Sequence, residues 1–304
     1  MLSVCLLQAA CLTVRRDLFD HYDDVAYIEQ ELRAIPLDLK IVQDRGVLWI
    51  TDVKDDPAEQ VRKYNDGIFS MYDRYRDIYP RGLVGGDIHV IFVYLKTSAE
   101  MKQYAWKITG GPQWGDHGHI HTDFIRLKRL RSRYYVCASE DTGSDAIFHE
   151  VGHVLNHRNL TYLPDWLDES LAKAIAPYDP SITLSVVSPD GRTSRRAINY
   201  YSCQLGRYLQ DYPDFNMAAL MRYVQRGNFI CSRLTLARAS DALCLVFKYL
   251  AENNKLADFI DRVEAGKKMD MQILENCLGK QEGQIRADYL QWLKANNYLP
   301  PQHF

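Results

Sequence analysis

The segment Phe148 to Ala174, F-H-E-V-G-H-V-L-N-H-R-N-L-T-Y-L-P-D-W-L-D-E-S-L-A-K-A, constrains this chain more than any other stretch. Residues four apart on an α-helix lie on one face about one turn apart, so His149 and His153 can direct both imidazoles at one ion. Glu150, one residue along, brings a carboxylate beside that ion, where it can take a proton from an activated water. Two histidines leave a zinc site underfilled, and a further donor is required close by. Glu169 is the candidate. Pro164 and Asp165 read as a helix start, Trp166, Leu167, Leu171 and Ile175 as its apolar stripe, and Pro177 as its stop. Glu169 lies beside that stripe, in position to face an ion held by the preceding helix.

The coupled motifs H-E-V-G-H and P-D-W-L-D-E-S-L-A resemble those of the gluzincin metallopeptidases. They are closest in pattern to the peptidase-MA-like domains, whose second motif reads roughly P-x-W-L-x-E-G-L-A. The resemblance implies one zinc per chain held by His149, His153 and Glu169, with Glu150 as general base. It also implies a zincin-like α+β fold and hydrolysis of peptide bonds in a peptide or protein substrate, with an endopeptidase as the first expectation. Tyr134 to Ser139 is, by the same resemblance, the edge strand that binds extended substrate. Tyr200 or Tyr201 would supply a phenol to the oxyanion, although either one also fits core packing.

Two features depart from the family pattern. Ser170 stands where Gly is usual, and Lys173 stands where many relatives carry a carboxylate that orients a ligand histidine. An ammonium cannot accept that hydrogen bond. Lys173 is therefore expected to snorkel outward, with a backbone carbonyl or a carboxylate such as Asp168 taking over the orienting role. No G-A-M-E-N-like segment is present, which argues against the best-known aminopeptidase class. Two rival functions stay open: a degenerate peptidase-like domain that only binds, and a zinc hydrolase of a non-peptide amide.

His117, His119 and His121 form a rival metal cluster, since alternation on a strand puts all three on one face. The glycines around them favour a loop with an ordinary or substrate-contacting role. A formal charge of -2, with 47% hydrophobic and 25% charged residues, fits an ordinary folded chain and gives no reason to expect a nucleic-acid partner. The basic run Lys128 to Arg133 reads as a solvated strand end or turn. The cysteines at 5, 11, 137, 203, 231, 244 and 277 contain no C-x-x-C pair and read as buried thiols, or as one or two disulfides. No transmembrane span is expected, because the apolar, uncharged start through Val14 is too short for one. That start fits the tail of a signal peptide as well as it fits a buried first helix or strand, so secreted or periplasmic and cytoplasmic locations both stay open. Oligomeric state leaves no mark on the sequence.

Periodicity divides the chain into an N-terminal apolar segment and helix (1–36), a mixed lobe (37–145) and the metal-site helices with a helical lobe (146–304). Helical spacing covers 24–35, with a second helix running from Asp56-Pro57 to about Ile78. Strands are expected at Leu37 to Val42 and Val47 to Val53 around an Asp44-Arg45-Gly46 turn, at Asp87 to Leu95 as a central strand, and at His119 to Leu127 and Arg133 to Ser139. Thr97 and Glu100 read as a capping box. Beyond the metal helices, helices are expected at Ile198 to Asp211, Phe215 to Gln225, Ala239 to Glu252, Leu256 to Ala265 and Gln284 to Ala295.

Overall fold

The fold is α+β: a mixed sheet in the N-terminal half is followed mainly by helices. A computed structural model describes residues 38–52, 56–84, 89–101, 103, 118–122, 133–140, 145–177, 181–187, 193–199, 205, 217–225 and 233–298. The chain forms two compact units, one taking Met1–Lys63 with Leu83–Ala146, the other Tyr64–Gly82 with Ile147–Phe304. The apolar start and the helix expected at 24–35 lie outside the described residues.

The first unit is built on a five-stranded sheet. Strands β1 (Lys40–Asp44) and β2 (Val47–Thr51) form an antiparallel hairpin. Arg45 and Gly46 connect them with φ of 48° and 77°, the paired left-handed values that match a two-residue turn to the twist of its strands. Strand β3 (His89–Leu95) runs parallel to β2 on one side and to β5 (Arg133–Ser139) on the other, and β4 (Gly118–Thr122) pairs antiparallel with β5. The order is β1-β2-β3-β5-β4.

The near-continuous apolar run of β3 thus marks a central strand, as expected of a strand covered on both faces. Ile50, Ile91, Val93, Leu95, Met101 and Cys137 close a core on this sheet. The helical turn after β3 opens on the expected capping box: Glu100 donates its N–H to Thr97 Oγ1 at 3.2 Å, and Thr97 donates its N–H to Glu100 Oε2 at 3.1 Å.

The sheet corrects the assignment of Tyr134 to Ser139 as an edge strand. That segment is β5, and it is hydrogen-bonded on both sides. Val136, Cys137 and Ala138 are all buried, the signature of an interior strand, and both of its ladders are occupied. The edges are β1 and β4.

In the second unit, the part of helix α1 (Pro57–Arg74) beyond Lys63 packs Ile68 and Met71 inward. Asp56 starts α1 by accepting the Glu59 N–H at 3.0 Å. Helices α2 (Asp145–Asn159) and α3 (Asp165–Ile175) carry the two motifs. They are followed not by a helix but by an antiparallel hairpin, β6 (Ser181–Val187) and β7 (Thr193–Asn199). Ile198 and Asn199, expected to begin a helix running to Asp211, are therefore strand residues; Leu205 is helical, and the rest of that segment lies outside the described residues. The segment S-I-T-L-S-V-V alternates polar and apolar side chains and is rich in β-branched residues, which is a strand pattern.

Helices α4 (Met217–Gln225), α5 (Arg233–Glu252), α6 (Leu256–Gly266), α7 (Met271–Leu278) and α8 (Glu282–Ala295) complete the unit. The short α7, absent from the periodicity reading, is set by its ends: Asp270 accepts the Ile273 N–H at 3.0 Å, and Gly279 closes it with φ of 64°. Cys137, Cys244 and Cys277 are buried; the other cysteines lie outside the described residues. Among the described residues no helix is long and apolar enough to cross a membrane.

Candidate metal centre

Helix α2 is anchored by Ile147, Val151, Val154 and Leu155, all fully buried, which fixes the rotation of its other face. That face carries His149, Glu150 and His153. Helix α3 starts at Asp165 after Pro164, whose carbonyl accepts the N–H groups of Leu167 and Asp168. Pro164 holds the cap position in extended backbone with no side-chain cap, and Asp165 and Asp168 place negative charge in the first turn, which favours the helix start. Burial of Trp166, Leu167 and Leu171 then turns Glu169 toward α2.

The two helices meet closely because of Gly152. A Cβ there would stand 2.7 Å from Ala172 Cα and 3.1 Å from its carbonyl oxygen, both backbone atoms that cannot move aside cheaply. The glycine inside H-E-V-G-H is thus required for the approach of α3, and through it for the third donor.

His149, His153 and Glu169 converge. The Nε2 atoms of the two histidines are 3.2 Å apart, Glu169 Oε2 is 3.4 Å from His153 Nε2, and Glu169 Oε1 is 3.7 Å from His149 Nε2. Tetrahedral zinc with bonds of about 2.0–2.1 Å separates neighbouring donors by roughly 3.3 Å. Two imidazole nitrogens and a carboxylate, with donor atoms all within 4.8 Å of one another, are a set whose chemistry fits such an ion.

Around the donors lies a chain of support. Asp168 Oδ1 stands 2.9 Å from His153 Nδ1, the ring nitrogen facing away from the donor cluster. The two form a close, charge-assisted contact. Asp168 is itself held by Asn156 Nδ2, which donates to Oδ1 at 2.8 Å, and by His157 Nε2, 3.1 Å from Oδ2. Asn156 Oδ1 in turn accepts the Tyr79 hydroxyl at 2.7 Å, with both side chains fully buried. Asp168, expected beside a candidate ligand histidine, lies against His153.

Lys173 departs from expectation. It does not snorkel outward: its side chain is 14% exposed, with Nζ 2.9 Å from Glu169 Oε1 and 2.8 Å from Asp241 Oδ1. The reason is Asp241 of α5, 1% exposed, which gives the ammonium an anion inside the protein. Sequence reasoning missed Asp241. The available signal was an acidic residue heading the apolar run A-L-C-L-V-F, which a buried helix tolerates only with a cation beside it.

The electrostatics follow from this crowding. Burial, reinforced by repulsion from His153, lowers the His149 pKa to about 3. Burial also opposes charge on His153, but its contacts with the Asp168 and Glu169 carboxylates outweigh it and raise the pKa to about 10. Burial would raise both carboxylates; instead His153 and His157 hold Asp168, and His153 and Lys173 hold Glu169, well below the usual range. Lys173 stays protonated against its burial because Asp241 and Glu169 flank it. Glu150 is 7% exposed, and its negative charge acts on His153.

Tyr200, Tyr201 and His117 lie outside the described residues. His119 and His121 fall two apart on the edge strand β4, in register with Cys137 and Tyr135 of β5. Comparison with family models and with curated proteins finds no match for this chain. The gluzincin resemblance therefore rests on the two motifs themselves.

Proposed function

We propose that this chain is a zinc-dependent hydrolase of peptide bonds, with His149, His153 and Glu169 holding one zinc and Glu150 acting as general base. The observation that carries this reading is the convergence of two Nε2 atoms 3.2 Å apart with one carboxylate, whose Oε2 lies 3.4 Å from His153 Nε2 and whose Oε1 lies 3.7 Å from His149 Nε2. Zinc bound there would lower the pKa of a water to about 7 and polarise the scissile carbonyl. Glu150 follows a ligand histidine on a rigid helix and is buried, so its carboxylate is held near the proton it has to accept. The same carboxylate returns that proton to the departing amine. Asp168, backed by Asn156 and Tyr79, holds His153 in one ring orientation.

One observation favours a second reading. Lys173 contacts Glu169, and an internal ion network could hold the cluster together in a domain that binds peptides without cleaving them. Metal analysis after zinc reconstitution, followed by digestion of a mixed peptide library, separates the two. We expect one zinc per chain and cleavage. Glu150→Gln should keep the zinc and lose nearly all turnover, because it removes the proton acceptor and leaves the ligands intact. Protein that holds no transition metal would overturn the hydrolase reading, and near-normal turnover by Glu150→Gln would overturn the assigned base.

A further inference from the structure

We propose that Lys173 and Asp241 form a buried positioning pair that fixes Glu169 for metal binding; this rests on the metal reading above. Glu169 is the ligand least constrained by packing, its side chain 40% exposed against 24% for His149 and 11% for His153. Left to itself, a carboxylate on an exposed three-torsion side chain divides its time between the site and water. Lys173, one turn further along α3, holds Oε1 at 2.9 Å, in the favourable order with the acidic residue N-terminal to the basic one. Oε2, which stands 3.4 Å from His153 Nε2, is left as the donor.

A lysine alone would be a poor tether. An ammonium beside a dication site repels the ion, and a buried ammonium with a single partner is undercompensated. Asp241 removes both objections. It meets Nζ at 2.8 Å from the side of α5, so the pair brings no net charge to the site and Lys173 cannot swing away to solvent. Where many of the gluzincins this chain resembles carry a carboxylate, Lys173 thus brings a cation with its own internal counter-ion. This pair acts on the glutamate ligand; Asp168 serves the histidine.

The neutrality of the pair makes a clean test. Lys173→Met combined with Asp241→Leu removes one positive and one negative charge at once, so the net charge near the metal is unchanged. Zinc affinity is read by competition with a chromophoric chelator, and ligand geometry by the visible spectrum of the cobalt-loaded protein. The double variant should bind zinc about tenfold more weakly or worse, the usual effect of losing a partner that orients a ligand, with an altered cobalt spectrum. Wild-type zinc affinity, within about threefold, together with an unchanged cobalt spectrum would overturn the inference. Where the apolar pair does not fold, Lys173→Gln with Asp241→Asn keeps the volume and one hydrogen bond, and is read by the same criteria. Glu169→Ala is measured alongside. If it loses zinc while the double variant does not, only the positioning role fails; if Glu169→Ala binds zinc as the wild type does, the metal reading fails with it.

Discussion

Replacing Gly152 with alanine tests how the candidate centre is built, because it adds one methyl group at the contact between the helices that carry the candidate ligands. The new Cβ would lie 2.7 Å from Ala172 Cα, 3.0 Å from its Cβ and 3.1 Å from its carbonyl oxygen. Ordinary carbon contacts need about 3.5–4.0 Å, so α2 and α3 must separate by close to 1 Å. His149 and His153 ride on α2 and Glu169 on α3, and the donor spacings of 3.4 and 3.7 Å would widen by a similar amount. Roughly 3.3 Å is what tetrahedral zinc tolerates. Overpacking costs about 1–3 kcal/mol, while exchanging glycine for alanine within a helix returns about 1 kcal/mol of propensity. The metal-free protein should therefore melt only slightly lower. Zinc affinity should fall much more, by about ten- to a hundredfold, because it depends on the spacing of the donors. Chelator competition and a metal-free thermal melt measure the two effects separately. Adding Ala172→Gly should restore part of the affinity and no more, since the Cα and the carbonyl remain in the way. Wild-type zinc affinity in Gly152→Ala would refute the claim that close helix approach sets the third ligand.

Asp168→Ala removes the ionic partner of His153 and should weaken zinc binding by about ten- to a hundredfold, with Asp168→Asn falling between it and the wild type, both read by chelator competition. Tyr79→Phe strips the donor from buried Asn156 Oδ1 and should cost about 1–3 kcal/mol in denaturant unfolding, because an acceptor is left without its hydrogen bond. Asp270→Ala deletes the N-cap of α7 and should cost about 1 kcal/mol in the same assay, with the zinc stoichiometry unchanged.

Much of the candidate site was legible because its pieces are local. The i, i+4 histidines share a helix, Glu169 is tied to a helix whose apolar stripe fixes its facing, and the capping box at Thr97 and the turn at Arg45-Gly46 are set within four residues. Long-range pairing was less legible. Tyr134 to Ser139 was expected at the edge of the sheet, yet the order of strands is decided by which apolar surfaces can be covered. The fully buried V-C-A at its centre speaks for an interior place. The β6-β7 hairpin was hidden for a different reason: Ile198 and its neighbours fit a helical stripe until the alternation across Ser181–Val187 is counted.

Lys173 shows where local reasoning has to be completed. From the sequence, a lysine one turn beyond a metal glutamate has two outcomes: escape to solvent or pairing inside. Helix geometry alone favours escape, because a long apolar stem can carry the charge out. What reverses the choice is an anion supplied from another helix, and burial is what demands it. Asp241, on the inward face of α5, needs a cation as much as Lys173 needs an anion. Each residue read alone is an anomaly: a base beside a cation site, and an acid at the head of an apolar run. Taken together they cancel. The requirement that buried charges be compensated links two positions far apart in the chain and leaves Glu169 with Oε1 held by Lys173 and Oε2 beside His153.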